Sequence, residues 1–135
     1  MAKIMALDFG MKRTGIAISD DLKMVASGLK TVETKDLMRF LESFIPEEEV
    51  DTLVVGAPFH TDGTPTALET NITYFIEDFS VLFPQIKIER IDERFTSKMA
   101  VQSLIDGGMK KKKRREKGAI DQMSATIILQ SYMYN

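Results

Sequence analysis

The spacing of apolar residues changes period several times along the chain, and each change marks an element. "KIMALDF" is apolar almost without a break up to Asp8, as a central strand buried on both faces requires. A Gly-Met-Lys-Arg-Thr-Gly turn then leads into "IAIS", a second strand, and "ASGLKTVE" predicts a third. The three read as an antiparallel meander. Leu37, Phe40, Leu41, Phe44 and Ile45 fall on one helical stripe, with Thr34 placed to cap the helix and Pro46 to end it. "TLVVGAP" is a further buried strand stopping at Gly56 and Pro58. The stripe from Leu68 through Ile72, Phe75, Ile76, Phe79, Leu82 and Phe83 predicts a longer helix closed by Pro84. "KIERI" is the last strand and runs into "DERFT". A short helix is expected from Thr96 or Ser97 through Ala100, Val101, Leu104 and Ile105, ended by Gly107 and Gly108, and "AIDQMSATIILQSYM" forms a final helix.

The order β-β-β-α-β-α-β-α-α contains no repeat and no linker, so residues 1–135 are expected to form one α/β domain. The strand-helix-strand connections make the first, fourth and fifth strands parallel neighbours, with right-handed crossovers placing helices on the sheet faces. A five-stranded mixed sheet in the order 3-2-1-4-5 follows if the meander forms the antiparallel side.

Composition removes several chemistries. The chain has 135 residues, enough to bury roughly two thirds of its unfolded surface. No apolar run approaches the roughly 18 residues of a membrane span, and the amino terminus has no secretion signal. Cysteine is absent, which excludes disulfides, thiolate metal sites and a cysteine nucleophile and fits a cytoplasmic protein without membrane partners. Any metal must therefore be held by carboxylates, and oxygen ligands favour Mg²⁺ or Mn²⁺. The net charge of −2 conceals a division. Residues 1–109 carry 11 Lys and Arg against 18 Asp and Glu, whereas residues 110–117 carry 7 against 1. The positive charge is gathered in one short segment.

Ligands of open α/β sheets collect at the carboxyl ends of the parallel strands. Asp8 ends the first strand, Asp92 and Glu93 end the fifth, and Asp121 opens the last helix, with Ser124 and Ala125 on the same face. Small residues there would let the helix lie close to the sheet and bring Asp121 towards the other acids. Clustered carboxylates repel one another unless a cation sits among them. Two divalent ions ~3.5 to 4 Å apart can activate water and stabilise the leaving oxygen of a phosphodiester. The alternative is that Asp8 and Asp121 only cap turns and helices. Lys12 and Arg13, in the turn after Asp8, are placed to reach a phosphate, or are exposed turn charges. Arg94 either clamps a phosphate or neutralises Asp92. The run Lys110, Lys111, Lys112, Lys113, Arg114 and Arg115 precedes Asp121 and suits a polyanion; with no aromatic residue among them, its contacts should be to backbone. A solvated loop is the plainer reading of the same run. His60, the only histidine, falls in the loop after the fourth strand, where it serves as a general acid or is incidental.

"DFGMKRTGIAISD", "VVGAPFHTDGT", "DERFT" and the basic run leading to "IDQMSATIILQSY" together resemble the YqgF (RuvX) family of bacterial RNase H-like nucleases, in the family's order and over essentially the whole chain. The resemblance implies an RNase H-like fold related to the RuvC resolvases and a three-acid metal site at Asp8, Glu93 and Asp121, with Mg²⁺ or Mn²⁺. It also implies a substrate: members are described as Holliday-junction resolvases and as nucleases that mature the 5′ end of pre-16S rRNA, in the context of the ribosome precursor. One departure stands out. Better-understood RNase H-like enzymes carry an acid at the end of the fourth strand, whereas here that strand ends "VVGAP" and the acid has moved to "DER", where Glu93 is preferred to Asp92 as the ligand.

Two other classes remain. An Asp-Gly hairpin also holds phosphates in actin-like ATPases and sugar kinases, which close two such domains around a nucleotide; this sequence holds one. A non-catalytic RNA-binding scaffold is the other, and retention of all three acids argues against it.

Overall fold

In the computed structural model, which describes residues 2–60, 62–93 and 117–134, the hairpin after Asp8 is the start of a meander. Strand β1 (Lys3–Asp8) pairs antiparallel with β2 (Arg13–Ser19), and β2 pairs antiparallel with β3 (Ala26–Glu33). On its other side β1 runs parallel to β4 (Val50–Ala57), which runs parallel to β5 (Lys87–Asp92). The sheet order is β3-β2-β1-β4-β5, as expected from the sequence. Three parallel strands therefore end side by side at Asp8, Ala57 and Asp92.

Side chains alternate across a strand, so each face has its own set. Met5, Leu7, Ile16, Leu53 and Val55 pack against α1 (Leu37–Glu48) and α2 (Leu68–Leu82) in a core filled by large groups, including Phe75, Phe79 and Phe83. Ile4, Ala6, Ala17 and Val54 face the opposite side, where α3 (Lys117–Met133) presents Ala125, Ile128 and Leu129. The helices thus cover both faces, but with different packing. Ala6, Ala17 and Ala125 are fully buried and Ser124 nearly so, so the backbone of α3 comes closer to the sheet than a layer of leucines would permit.

Two boundary expectations fail. Helix α1 passes through Pro46 to Glu48, and Glu49, in the left-handed region at φ 55°, closes it by donating its N–H to the Ile45 carbonyl. Pro46 forfeits one helical hydrogen bond in the last turn, and burial of Leu37, Leu41 and Ile45 outweighs that loss. Thr34 does not cap α1. Its hydroxyl donates to the Gly10 carbonyl at 2.6 Å and lies 2.9 Å from Thr14 Oγ1, within a 3₁₀ turn over Thr34–Asp36. It ties the end of β3 to the turn that carries Lys12 and Arg13. Asp20 behaves as a turn residue, accepting the Met24 and Val25 N–H groups at 2.7 and 2.9 Å, which hold its carboxyl below the usual range. The short helix expected after Thr96 lies outside the described residues. No described helix is long and apolar enough to cross a membrane.

Candidate functional site

Asp8 shares the α3 face of the sheet with Ile4 and Ala6 by strand alternation, and it stands opposite Gly15 in the β1–β2 register. A Cβ on Gly15 would collide with the backbone carbonyl of Asp121. The bare glycine lets α3 cross the strand there, and the crossing sets Asp121 beside Asp8. The influence is direct, since the charge of Asp121 raises the Asp8 carboxyl.

Glu93 follows β5 immediately, and its N–H donates to the Ala57 carbonyl at 3.1 Å, which extends the ladder by one residue. Alternation puts it on the same face as Ile91 and leaves the exposed Asp92 on the other. Of the two adjacent acids, Glu93 is the one that meets Asp8. Its carboxyl reaches back over the end of β4, where a Cβ on Gly56 would strike Glu93 Oε2 and would lie 2.8 Å from Ile128 Cδ1. An acid delivered from the fifth strand thus fills the space above the fourth, where the sequence had none. Gly56→Ala should evict that carboxyl while the strand survives. We expect a stability loss of about 1–3 kcal/mol by chemical denaturation.

Two carboxyl groups in one half-buried pocket cannot both ionise cheaply. Burial, followed by the charge of Asp8 and a hydrogen bond to it, pushes Glu93 up to about 9, against a smaller opposing effect of Arg90. Burial likewise pushes Asp8 up to about 6, although hydrogen bonding to Glu93 and Ser124 works the other way. Among the described residues no donor reaches the buried Glu93 Oε2. With its carboxyl raised in this way, Glu93 holds the proton and donates it to the Asp8 carboxylate. Ser124 lies against Asp8, but its buried Oγ makes no well-formed hydrogen bond.

Asp121 is engaged elsewhere: Arg13 Nε donates to its Oδ2 at 2.9 Å. Among the described residues, no three acidic or imidazole side chains are arranged to hold an ion. Asp8 and Glu93 touch, and Asp121 is turned to Arg13. Lys12 is exposed on the turn, and His60 is exposed in a loop closed by Asp62, Gly63 at φ 91° and Thr64. Arg94 and the run Lys110–Arg115 lie outside the described residues.

Sequence reasoning missed Arg90 and Glu69. Arg90 donates to the Val55 and Gly56 carbonyls at 3.1 and 3.2 Å and forks onto both oxygens of Glu69 at 2.9 and 2.6 Å. It ties β5 to the last carbonyls of β4 and to the first turn of α2, and so braces the glycine over which Glu93 lies. The one available signal was an arginine two residues after Ile88, on the face that packs on the apolar core.

Comparison with known proteins agrees with this architecture. The family model "RuvX: Holliday junction resolvase" matches residues 2–135. A candidate pre-16S rRNA nuclease of Christiangramia forsetii is 56% identical over 134 residues, with 99% of each chain covered. One of the same description from Flavobacterium johnsoniae is 45% identical, with 98% of this chain and 96% of the relative covered. Among solved structures, T. thermophilus RuvC in complex with a Holliday junction substrate matches with a TM-score of 0.59 at 14% identity, covering 98% of this chain and 96% of that one. The fowlpox virus Holliday junction resolvase matches at 0.57 and 17% identity, with 98% of each chain covered. At such identities the likeness is one of fold, the RNase H-like fold of the resolvases. The five-stranded 3-2-1-4-5 sheet and the full-length match to the family model lead to one conclusion: the chain belongs to the RuvX family.

Proposed function

We propose that this protein is a divalent-metal-dependent nuclease that hydrolyses phosphodiester bonds in structured RNA, with the 5′ leader of pre-16S rRNA in the ribosome precursor as its substrate. The observation that carries this reading is the buried contact of Asp8 with Glu93, whose Oε2 has no donor among the described residues. An all-oxygen carboxylate set with an unsatisfied buried oxygen fits a hard cation such as Mg²⁺ or Mn²⁺. Asp8, Glu93 and Asp121 would hold it, and when bound it supplies a water of lowered pKa and charge stabilisation at the phosphoryl oxygens.

The chain's own residues do the rest. Asp8 and Glu93 would hold the cation as ionised carboxylates, the Glu93 proton passing to solvent. Gly56 leaves room for the Glu93 carboxyl and Gly15 for the backbone of Asp121, and α3 with its small residues walls the pocket from water on one side. Arg13, paired with Asp121 beside Asp8, is a fork donor for a phosphate. Lys12, Arg94 and the run Lys110–Arg115 would hold the backbone of a polyanion and make binding strongly salt-dependent. The substrate assignment is supported by the description shared by relatives at 56% and 45% identity.

The family description favours a second substrate, the four-way DNA junction. Both are tested in one assay of the purified protein with Mg²⁺ or Mn²⁺, using pre-16S leader RNA and four-way DNA beside Glu93→Gln. The expected result is cleavage of the RNA, none of the junction, and loss of cleavage in the variant. Cleavage of the junction alone would move the substrate to DNA, and full activity of Glu93→Gln would remove the site.

A further inference from the structure

Asp121 has two claims on its carboxylate. Its charge bears on Asp8 across the pocket, yet its Oδ2 is taken by Arg13 Nε at 2.9 Å. The contest is confined to side chains, because the Asp121 backbone is seated against Gly15, two residues along β2 from Arg13. Asp121 can turn but cannot shift. Among the described residues this contact is the one hydrogen bond of the Arg13 side chain, and the arginine is 36% exposed while the aspartate is 20% exposed. A pair of that exposure is held weakly enough to exchange partners. A phosphate offers the guanidinium an anion of equal or better geometry, with two parallel hydrogen bonds available.

We propose that Arg13 is a positioning residue that holds Asp121 away from Asp8 and Glu93 until a phosphate of the nucleic acid takes the guanidinium, so that metal and substrate bind with positive coupling. In the free protein Arg13 serves as the counter-charge of the third acid. The pocket then confronts two carboxyl groups instead of three. When nucleic acid arrives, Arg13 moves from carboxylate to phosphate, and Asp121 is released to turn towards the other two acids. Linkage makes the effect mutual: nucleic acid tightens the metal, and the metal tightens nucleic acid by the same factor. The carboxylate set is thus completed where a phosphate is already in place, which limits adventitious cleavage. This inference rests on the metal-site reading above and concerns when that site is complete.

The test is Mn²⁺ binding to the full chain by calorimetry, with and without an uncleavable 2′-O-methyl oligonucleotide of leader sequence and with oligonucleotide blanks subtracted. Wild-type affinity for Mn²⁺ should rise by about 5- to 10-fold when the oligonucleotide is present. Arg13→Gln should bind Mn²⁺ more tightly than wild type by a similar factor without any oligonucleotide, and should gain little from its addition. Loss of a nearby positive charge would raise cation affinity by itself, so the same substitution is repeated in Asp121→Asn. There only that through-space gain should remain, well below the gain in the wild-type background. A gain as large in Asp121→Asn as in the wild-type background, or an Arg13→Gln affinity no greater than wild type, overturns the proposed role of Arg13 while Asp8-dependent binding stands. Equal Mn²⁺ binding by wild type and Asp8→Asn overturns the metal site itself.

Discussion

Replacing Asp8 with Asn is expected to abolish cleavage and, in metal-free solution, to make the protein more stable. The two effects have one cause. Asp8 and Glu93 sit in contact in a pocket whose burial raises both carboxyl groups, Asp8 to about 6 and Glu93 to about 9. At about pH 8 the folded protein must hold an ionised Asp8 against a group that resists ionisation. An amide of the same shape removes that charge and keeps a donor and an acceptor for Glu93. A stabilisation on the order of 1 kcal/mol would raise Tm by roughly 2–4 °C in a domain near this size. If Asp8 is a ligand as proposed, the same substitution takes the charge from a ligand oxygen, and activity should fall on the order of a hundredfold to a thousandfold. Thermal melts in EDTA and cleavage assays in Mg²⁺ check the two halves. Lower stability of the variant at that pH would show that burial imposes no such cost on the Asp8 charge.

The pH dependence of stability should run in an unusual direction, and divalent ions should reverse it. Both carboxyl groups titrate higher in the folded chain than the ordinary 3.8 and 4.5 of Asp and Glu. The folded state therefore binds more protons than the unfolded state across that interval, and stability falls as pH rises. Their contribution is fully present below about 4, is lost first as pH passes through about 6 for Asp8, and then through about 9 for Glu93. Tm measured in EDTA should decline from about pH 5 to about pH 9. A divalent cation binds the ionised form, so millimolar Mn²⁺ should raise Tm strongly at about pH 8 and little at about pH 5. In Glu93→Gln both the decline and the Mn²⁺ effect should shrink. A Tm that rises with pH in EDTA would contradict the assigned pair.

Much of this arrangement was legible in sequence because it depends on period and turn. The unbroken apolar run into Asp8, the hairpin glycines and the strand-helix-strand spacing determine the sheet order and place Asp8 and Glu93 at one edge. Ser124 and Ala125 marked the close approach of the last helix, and both are buried against the sheet. What escaped depends on contacts between distant residues. Gly56 reads as the end of a strand, yet its role is to leave room for a carboxyl 37 positions later. Thr34 carries the chemistry of a helix cap, but tertiary placement gave its hydroxyl a nearer acceptor at Gly10. Pro46 would stop an isolated helix; three buried neighbours on its stripe kept α1 going to Glu48. The fork from Arg90 to Glu69 spans 21 residues, and neither partner announces the other in sequence. Sequence favoured Glu93 over Asp92 without separating them, and strand alternation does so.

The central claim is that Asp8, Glu93 and Asp121 together hold a divalent cation. Anomalous diffraction from crystals of the full chain grown with Mn²⁺ and a 2′-O-methyl leader oligonucleotide tests it most directly. The account predicts a Mn²⁺ peak within ligand distance, about 2.0–2.3 Å, of carboxylate oxygens of Asp8 and Glu93, with Asp121 turned from Arg13 towards the ion. A peak elsewhere in the molecule, or a pocket in which Glu93 still meets Asp8 with no ion between them at saturating Mn²⁺, would contradict it.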